Sequence, residues 1–298
     1  MLPKWYWKYR DFIEKSINRE LDKYFKNKKI DTTWLKRFQE IAYYSTSWWK
    51  KLRAILSLEF FLILSWKKLK EIKKSDDIIK FCVAIELMHA YSLVHDDLPC
   101  MDNDELRRWQ LTVWKKYSEY EAVLAWDLLW TMCYELLSEI KDKKIWLELV
   151  KIISKSTWFF WMVWWQVEDM YFEKNSENLT LENLISLEKK KTWAFIKASI
   201  IWWILLSWRT KKLNKLKDFW EKIWLAFQIK DDLLDVEWNQ EETGKSVWWE
   251  KKWFVYFEWI EKTRKKLNIL LQESLEIIKD LKSEKLNFLV NYIWERKK

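Results

Sequence analysis

At 298 residues the chain can form one large domain or two small ones. Half of it is apolar, enough for a sizeable core, which excludes the class of chains too polar to bury one. The net charge of +9, from 54 Lys and Arg against 45 Asp and Glu, is spread along the chain. It therefore reads as a solvated surface; charge alone leaves an anionic substrate, nucleic acid or an acidic membrane surface as the alternatives.

Two counts are abnormal. An ordinary chain carries about 7% glycine, roughly 21 residues at this length; this one carries 1 glycine and 27 tryptophans. The two together match ordinary glycine plus a small remainder of tryptophan, so most Trp letters stand where glycine belongs. Cys82, Cys100 and Cys133 have no disulfide or metal spacing, and an odd count fits a reducing compartment, the cytoplasm.

Taken in chain order, the start MLPKWYWKYRDF is charged and lacks an apolar signal core. Helical spacing of apolar residues follows almost everywhere, as with Phe81, Ala84, Ile85, Met88 and Ser92. Strand-like alternation is absent. Breaks are expected near Lys73–Asp77, Lys141–Lys144, Glu173–Leu179, Thr210–Leu216 and Glu237–Lys252. The longest uncharged stretch, Ala198 to Trp208, is too short to span a bilayer. The expectation is one all-α domain over residues 1–298, soluble and without a membrane span.

Two acidic runs carry the chemistry. In HDDLPCMDNDELRR, Asp96, Asp97 and Asp102 are followed by Arg107 and Arg108. Pro99 should end the helix that carries Asp96 and Asp97, so Asp102 must return from the next turn. In FQIKDDLLD, Asp231 and Asp235 are i,i+4 neighbours on one helix face, with Asp232 beside them. Carboxylate oxygens suit Mg²⁺, which is often completed by substrate phosphates. Two such clusters facing one cavity could hold several Mg²⁺ around a diphosphate.

With these motifs the sequence resembles the trans-isoprenyl diphosphate synthases, most closely the bacterial farnesyl diphosphate synthases. Further segments fit that family with Trp standing at its glycines. They are Trp48-Trp49-Lys50 with Arg53, Arg107-Arg108-Trp109, Ala125-Trp126-Asp127, Trp161 to Gln166 (family Gly-Met-Val-Gly-Gly-Gln), and Lys191-Thr192-Trp193. Glycine serves close backbone approach and positive φ, so the largest side chain at many such places should not leave a folded protein. We read the gene as one in which UGA specifies glycine and is written here as Trp. Gly244 then comes from an ordinary glycine codon, and Trp114 is the best candidate for a genuine tryptophan.

The resemblance implies an all-α helical bundle around a deep central cavity, a homodimer, and head-to-tail condensation of isopentenyl diphosphate with allylic diphosphates. It implies Mg²⁺, three per active site, held by Asp96, Asp97, Asp102, Asp231, Asp232 and Asp235. It places Arg107, Lys191 and Lys245 on the allylic diphosphate, and Thr192 and Gln228 beside the developing cation. Lys50, Arg53, His89 and Arg108 match the isopentenyl diphosphate site; His95 is read as structural, and Gln166 and Asp169 as near the allylic site. An aromatic at Tyr91, next to the small Ser92, implies a farnesyl-sized pocket.

Three departures from the family pattern, Ala54, Leu111 and Glu188, touch loop geometry but remove no catalytic group. The competing readings are a longer-chain geranylgeranyl synthase, a terpene cyclase and a non-catalytic binding subunit. The intact second motif, Lys50 and Arg53 argue against a cyclase.

Overall fold

Helix after helix follows the apolar spacing. The computed structural model describes residues 2–26, 33–47, 50–73, 76–107, 109–157, 164–186, 213–243 and 254–295. The chain divides into two compact units, Met1–Val150 and Lys151–Lys298.

The first unit opens with α1 (Lys4–Lys26), whose buried side carries Tyr6, Tyr9, Ile13, Ile17 and Leu21 at turns of three and four. Each such buried aliphatic side chain stabilises the fold by about 1.5–3 kcal/mol. Next come α2 (Thr33–Ser47), α3 (Leu52–Ser65) and α4 (Asp77–Asp96). In α4 nearly every side is buried, including Phe81, Val83, Ala84, Leu87 and Ala90. It is long and apolar enough to cross a membrane, at mean hydropathy 1.4, yet 72% of that stretch is buried inside the protein. It is the central core helix, packed against α1, α2 and α3 and against α6 (Glu119–Ser138). Short α5 (Val113–Lys116) precedes α6, which Ser118 caps by accepting the Glu121 N–H. The break read at Lys141–Lys144 falls where α7 (Lys143–Thr157) begins.

In the second unit, α8 (Trp164–Lys174) ends inside the break read at Glu173–Leu179. Then α9 (Leu213–Thr243) packs along α10 (Phe254–Ile278), and α11 (Glu284–Glu295) lies against both. The break read from Glu237 starts too early: helix continues through Thr243, because Glu237, Gln240, Glu241 and Glu242 are polar but good helix formers. The all-α class is borne out. The one addition among the described residues is a two-residue ribbon, β1 (Leu106–Arg107) paired antiparallel with β2 (Gln110–Leu111).

Backbone angles bear on the tryptophans. Trp66, Trp109 and Trp259 have φ of 58°, 69° and 60°, where a bulky residue is a genuine outlier. Trp66 ends α3, with its own N–H and that of Lys67 both donating to the Leu62 carbonyl; glycine usually occupies that left-handed place. Trp109 turns the β1–β2 ribbon, and Trp259 breaks α10 at ψ 154°, a region essentially restricted to glycine. All three indoles are more than 60% exposed. These angles support the reading of Trp letters at glycine places. Trp114 behaves differently: its indole N–H donates to the Asp104 carbonyl at 2.8 Å, a use for a true tryptophan.

Candidate active site

The first acidic run closes α4. Asp96 sits on its last turn and Asp97 just past it. The chain then doubles back, and the Asp102 N–H donates to the Asp96 carbonyl at 2.9 Å. The return that Pro99 required is thus fixed by a backbone bond, with Asn103 at φ 55° completing the turn. The ribbon carries Arg107 over this turn. Its Nε donates to Asp97 Oδ1 at 2.5 Å, and its Nη2 reaches Asp104 Oδ2 at 3.1 Å and Asp97 as well. Asp97 is only 4% exposed. Burial pushes its carboxyl up to about 6, against the opposing pull of Arg107. Asp104 is a member of this cluster that the sequence reading missed; its place three residues before Arg107 was the available signal.

Farther back on α4, Tyr91 lies against α6. Its ring stacks on Trp126 at 5.9 Å and tilts onto Trp130 at 4.7 Å, and burial pushes its phenol up to about 12. His95 packs on Trp126 at 4.6 Å and holds its Nδ1 3.4 Å from Asp96 Oδ1, in keeping with a structural role. Ser92 Oγ donates to the His89 carbonyl at 3.0 Å.

Lys50 and Arg53 flank the start of α3, and His89 is buried on α4. The Ala54 N–H, next to Arg53, donates to Glu86 Oε1 at 3.0 Å. Glu86 precedes His89 by three residues and so shares its helix face. The basic segment and His89 are therefore brought to the same pair of helices.

In the second unit, Gln228, Asp231, Asp232 and Asp235 all ride on α9. Gln228 and Asp231, three residues apart, share one face by spacing. Asp232 Oδ2 accepts the Phe254 N–H at 2.9 Å, so this carboxylate also caps α10. Gln166 Nε2, on α8, is buried without a hydrogen-bond partner among the described residues. Arg108, Lys191, Thr192 and Lys245 lie outside the described residues, as does the segment 158–163.

Each acidic run, taken by itself, offers carboxylate oxygen, which fits a hard cation such as Mg²⁺. Among the described residues no three or more His, Cys, Asp or Glu side chains gather into a metal cage.

The sequence profile of the Polyprenyl synthetase family matches residues 35–293. The chain belongs to the polyprenyl synthetases. The match runs through both acidic motifs, as the resemblance implied. This polyprenyl synthetase is 36% identical to the farnesyl diphosphate synthase of Micrococcus luteus over 230 residues, 74% of this chain and 78% of that one. Among solved structures it is similar to an FPP/GFPP synthase from Zymomonas mobilis, with a TM-score of 0.78 at 27% identity, covering 94% of this chain and 97% of that one. It is also similar to a Helicobacter pylori geranyltransferase complexed with magnesium and isoprenyl diphosphate, with a TM-score of 0.72 at 31% identity, covering 96% and 97%. The polyprenyl synthetase is thus a prenyltransferase of the trans-isoprenyl diphosphate synthase type with the isoprenoid-synthase helical fold.

Proposed function

We propose that this chain condenses isopentenyl diphosphate with dimethylallyl and geranyl diphosphates, head to tail, to give farnesyl diphosphate. The observation that carries the reading is the turn after α4, where the Asp102 N–H bonds back to the Asp96 carbonyl and Arg107 is delivered onto Asp97. The barrier lies in parting a diphosphate from an allylic carbocation, so electrostatic help to the leaving group decides the rate. Asp96, Asp97, Asp102, Asp231, Asp232 and Asp235 would hold Mg²⁺, three ions by family resemblance. Bound there, the metal supplies positive charge to the leaving diphosphate. Arg107, Lys191 and Lys245 hold the allylic diphosphate, with Arg107 as a fork of donors. Thr192 and Gln228 lie beside the developing cation. Lys50, Arg53, His89 and Arg108 hold isopentenyl diphosphate without metal, and the released diphosphate accepts the proton that is lost.

Product length rests on Tyr91. It stands five residues before Asp96 on an unbroken helix, about 7.5 Å away at 1.5 Å per residue. Its side chain lies between α4 and α6 and is largely buried. The reading includes a cytoplasmic homodimer of single-domain chains, one active site each. Exposed Tyr120 and Leu124, one turn apart on α6, are in keeping with a covered face. Incubation of the full chain with isopentenyl and allylic diphosphates, with Mg²⁺ and with chelator, tests the reaction. Metal-dependent diphosphate release with a C15 product is expected, and no prenyl product with Mg²⁺ present would sink the reading.

A further inference from the structure

The basic segment that would hold isopentenyl diphosphate is itself held by a residue of the first helix. Tyr6, 1% exposed on α1, donates its phenol O–H to the Lys50 carbonyl at 2.5 Å, across 44 residues of sequence. Lys51, also 1% exposed and at φ 52°, turns its Nζ back onto the Thr46 carbonyl. From the other side, Glu86 takes the Ala54 N–H and Cys82 Sγ lies 3.6 Å from the Ala54 carbonyl. The segment 50–54 is therefore gripped at its start by α1 and at its end by α4, with Lys50 and Arg53 between the two grips.

We infer that Tyr6 is a positioning residue for the isopentenyl diphosphate site, acting through the Lys50 backbone. The inference rests on the proposed function for the role of Lys50 and Arg53. Lys51, next to Lys50, is a non-glycine residue in the left-handed region, a disfavoured conformation that its surroundings must hold in place. A buried hydroxyl on the Lys50 carbonyl helps to hold it and fixes where both cations enter the site. Pre-set charges bind an anion without ordering cost, which lowers the substrate concentration needed but leaves the chemical step alone.

Tyr9 provides an internal control. It lies three residues on along α1, is 3% exposed, and donates to Glu59 Oε2 at 2.9 Å. Glu59 is in the middle of α3, away from the basic segment. Tyr6→Phe and Tyr9→Phe each remove one buried hydroxyl while keeping the ring; Tyr9→Phe takes a donor from the buried Glu59 carboxylate and so destabilises at least as much. Only Tyr6→Phe should act on isopentenyl diphosphate.

The test is steady-state kinetics of the full chain and both variants, with isopentenyl diphosphate binding by calorimetry and thermal melts alongside. For Tyr6→Phe, KM and Kd for isopentenyl diphosphate should rise about fivefold, the size of one lost hydrogen bond, with kcat and the allylic KM within about twofold. Tyr9→Phe should lower the melting temperature with no change in KM. Equal effects of Tyr6→Phe on both substrates, no effect on isopentenyl diphosphate, or the same KM shift in Tyr9→Phe would overturn the inference. A wild-type chain that binds isopentenyl diphosphate but does not condense it overturns the proposed reaction alone, and the Tyr6 effect is still read from Kd. A wild-type chain that binds none overturns both.

Discussion

The guanidinium of Arg107 lies on the carboxylate of Asp97, Nε to Oδ1 at 2.5 Å, at a place where Asp97 is almost fully buried. Each charge is the other's compensation. Removing one partner of such a pair leaves a buried charge unmatched, which is strongly unfavourable. A cation arriving at Asp97 alone, or an anion arriving at Arg107 alone, meets that cost. Both arriving together do not.

Metal and diphosphate should therefore bind with positive coupling. Calorimetry is expected to show Mg²⁺ affinity rising at least about fivefold in the presence of inorganic pyrophosphate, and pyrophosphate affinity rising by the same factor with Mg²⁺, as linkage requires. Arg107→Ala should weaken that coupling. Independent binding of the two would contradict the role given to the pair.

The Asp97 carboxyl gives a pH signature. It is pushed up to about 6 by burial, above an ordinary aspartate at about 3.9. Between those values the folded chain holds the proton more firmly than the unfolded one. This group's contribution to stability is therefore greatest at low pH and is lost as pH rises through about 4 to 6. Protons compete with metal for the same oxygens, so Mg²⁺–pyrophosphate affinity should fall from pH 7 to pH 5. In Asp97→Asn the remaining pH dependence should be shallower; an unchanged slope would exclude Asp97 as its source.

Asp97→Ala and Asp231→Ala should each lower kcat by about 10²-fold or more, since both carboxylates are proposed to serve the leaving group through bound metal. Asp231→Ala should keep its melting temperature within a few degrees. Near-wild-type turnover with Mg²⁺ in either variant would dissolve the metal assignment.

Trp66→Gly removes a side chain from a left-handed position that costs a non-glycine residue roughly 1–2 kcal/mol. In a chain made with tryptophan, denaturant unfolding should show a gain of about 1 kcal/mol. The protein isolated from its own organism should have an intact mass well below the 37.4 kDa of the sequence as written. A native mass of 37.4 kDa would end the recoding reading.

Tyr91→Ala should lengthen the product beyond farnesyl diphosphate by opening the space beneath the tail, because close-packed interiors leave no slack. A product that still stops at C15 would place the floor at another residue.

The helices were legible because their apolar spacing is local information, and Pro99 gave away the end of α4 for the same reason. The ribbon at Leu106–Leu111 was not, since two residues per strand show no alternation. The turn at Trp66 escaped notice because the usual local signal of such a turn, a glycine, is not in the sequence there. Of the candidate site, the aspartates could be read from spacing, whereas the clamps could not. Tyr6 meets Lys50 across 44 residues and Glu86 meets Ala54 across 32, and nothing in a single sequence marks such pairs.

Trp126 lies flat on Tyr91 and also touches His95, yet it occupies the place of the glycine in Ala-Gly-Asp. Written as tryptophan, it thickens the wall beside the proposed floor by a whole indole; decoded as glycine, it leaves Tyr91 one neighbour short. Under the recoding reading, the dictionary used at the ribosome becomes part of the proposed enzyme's specificity. The same DNA translated in a host that inserts tryptophan would then make a pocket of different depth from the one its own organism makes, and a product profile measured on that protein would describe the host's code as much as the gene.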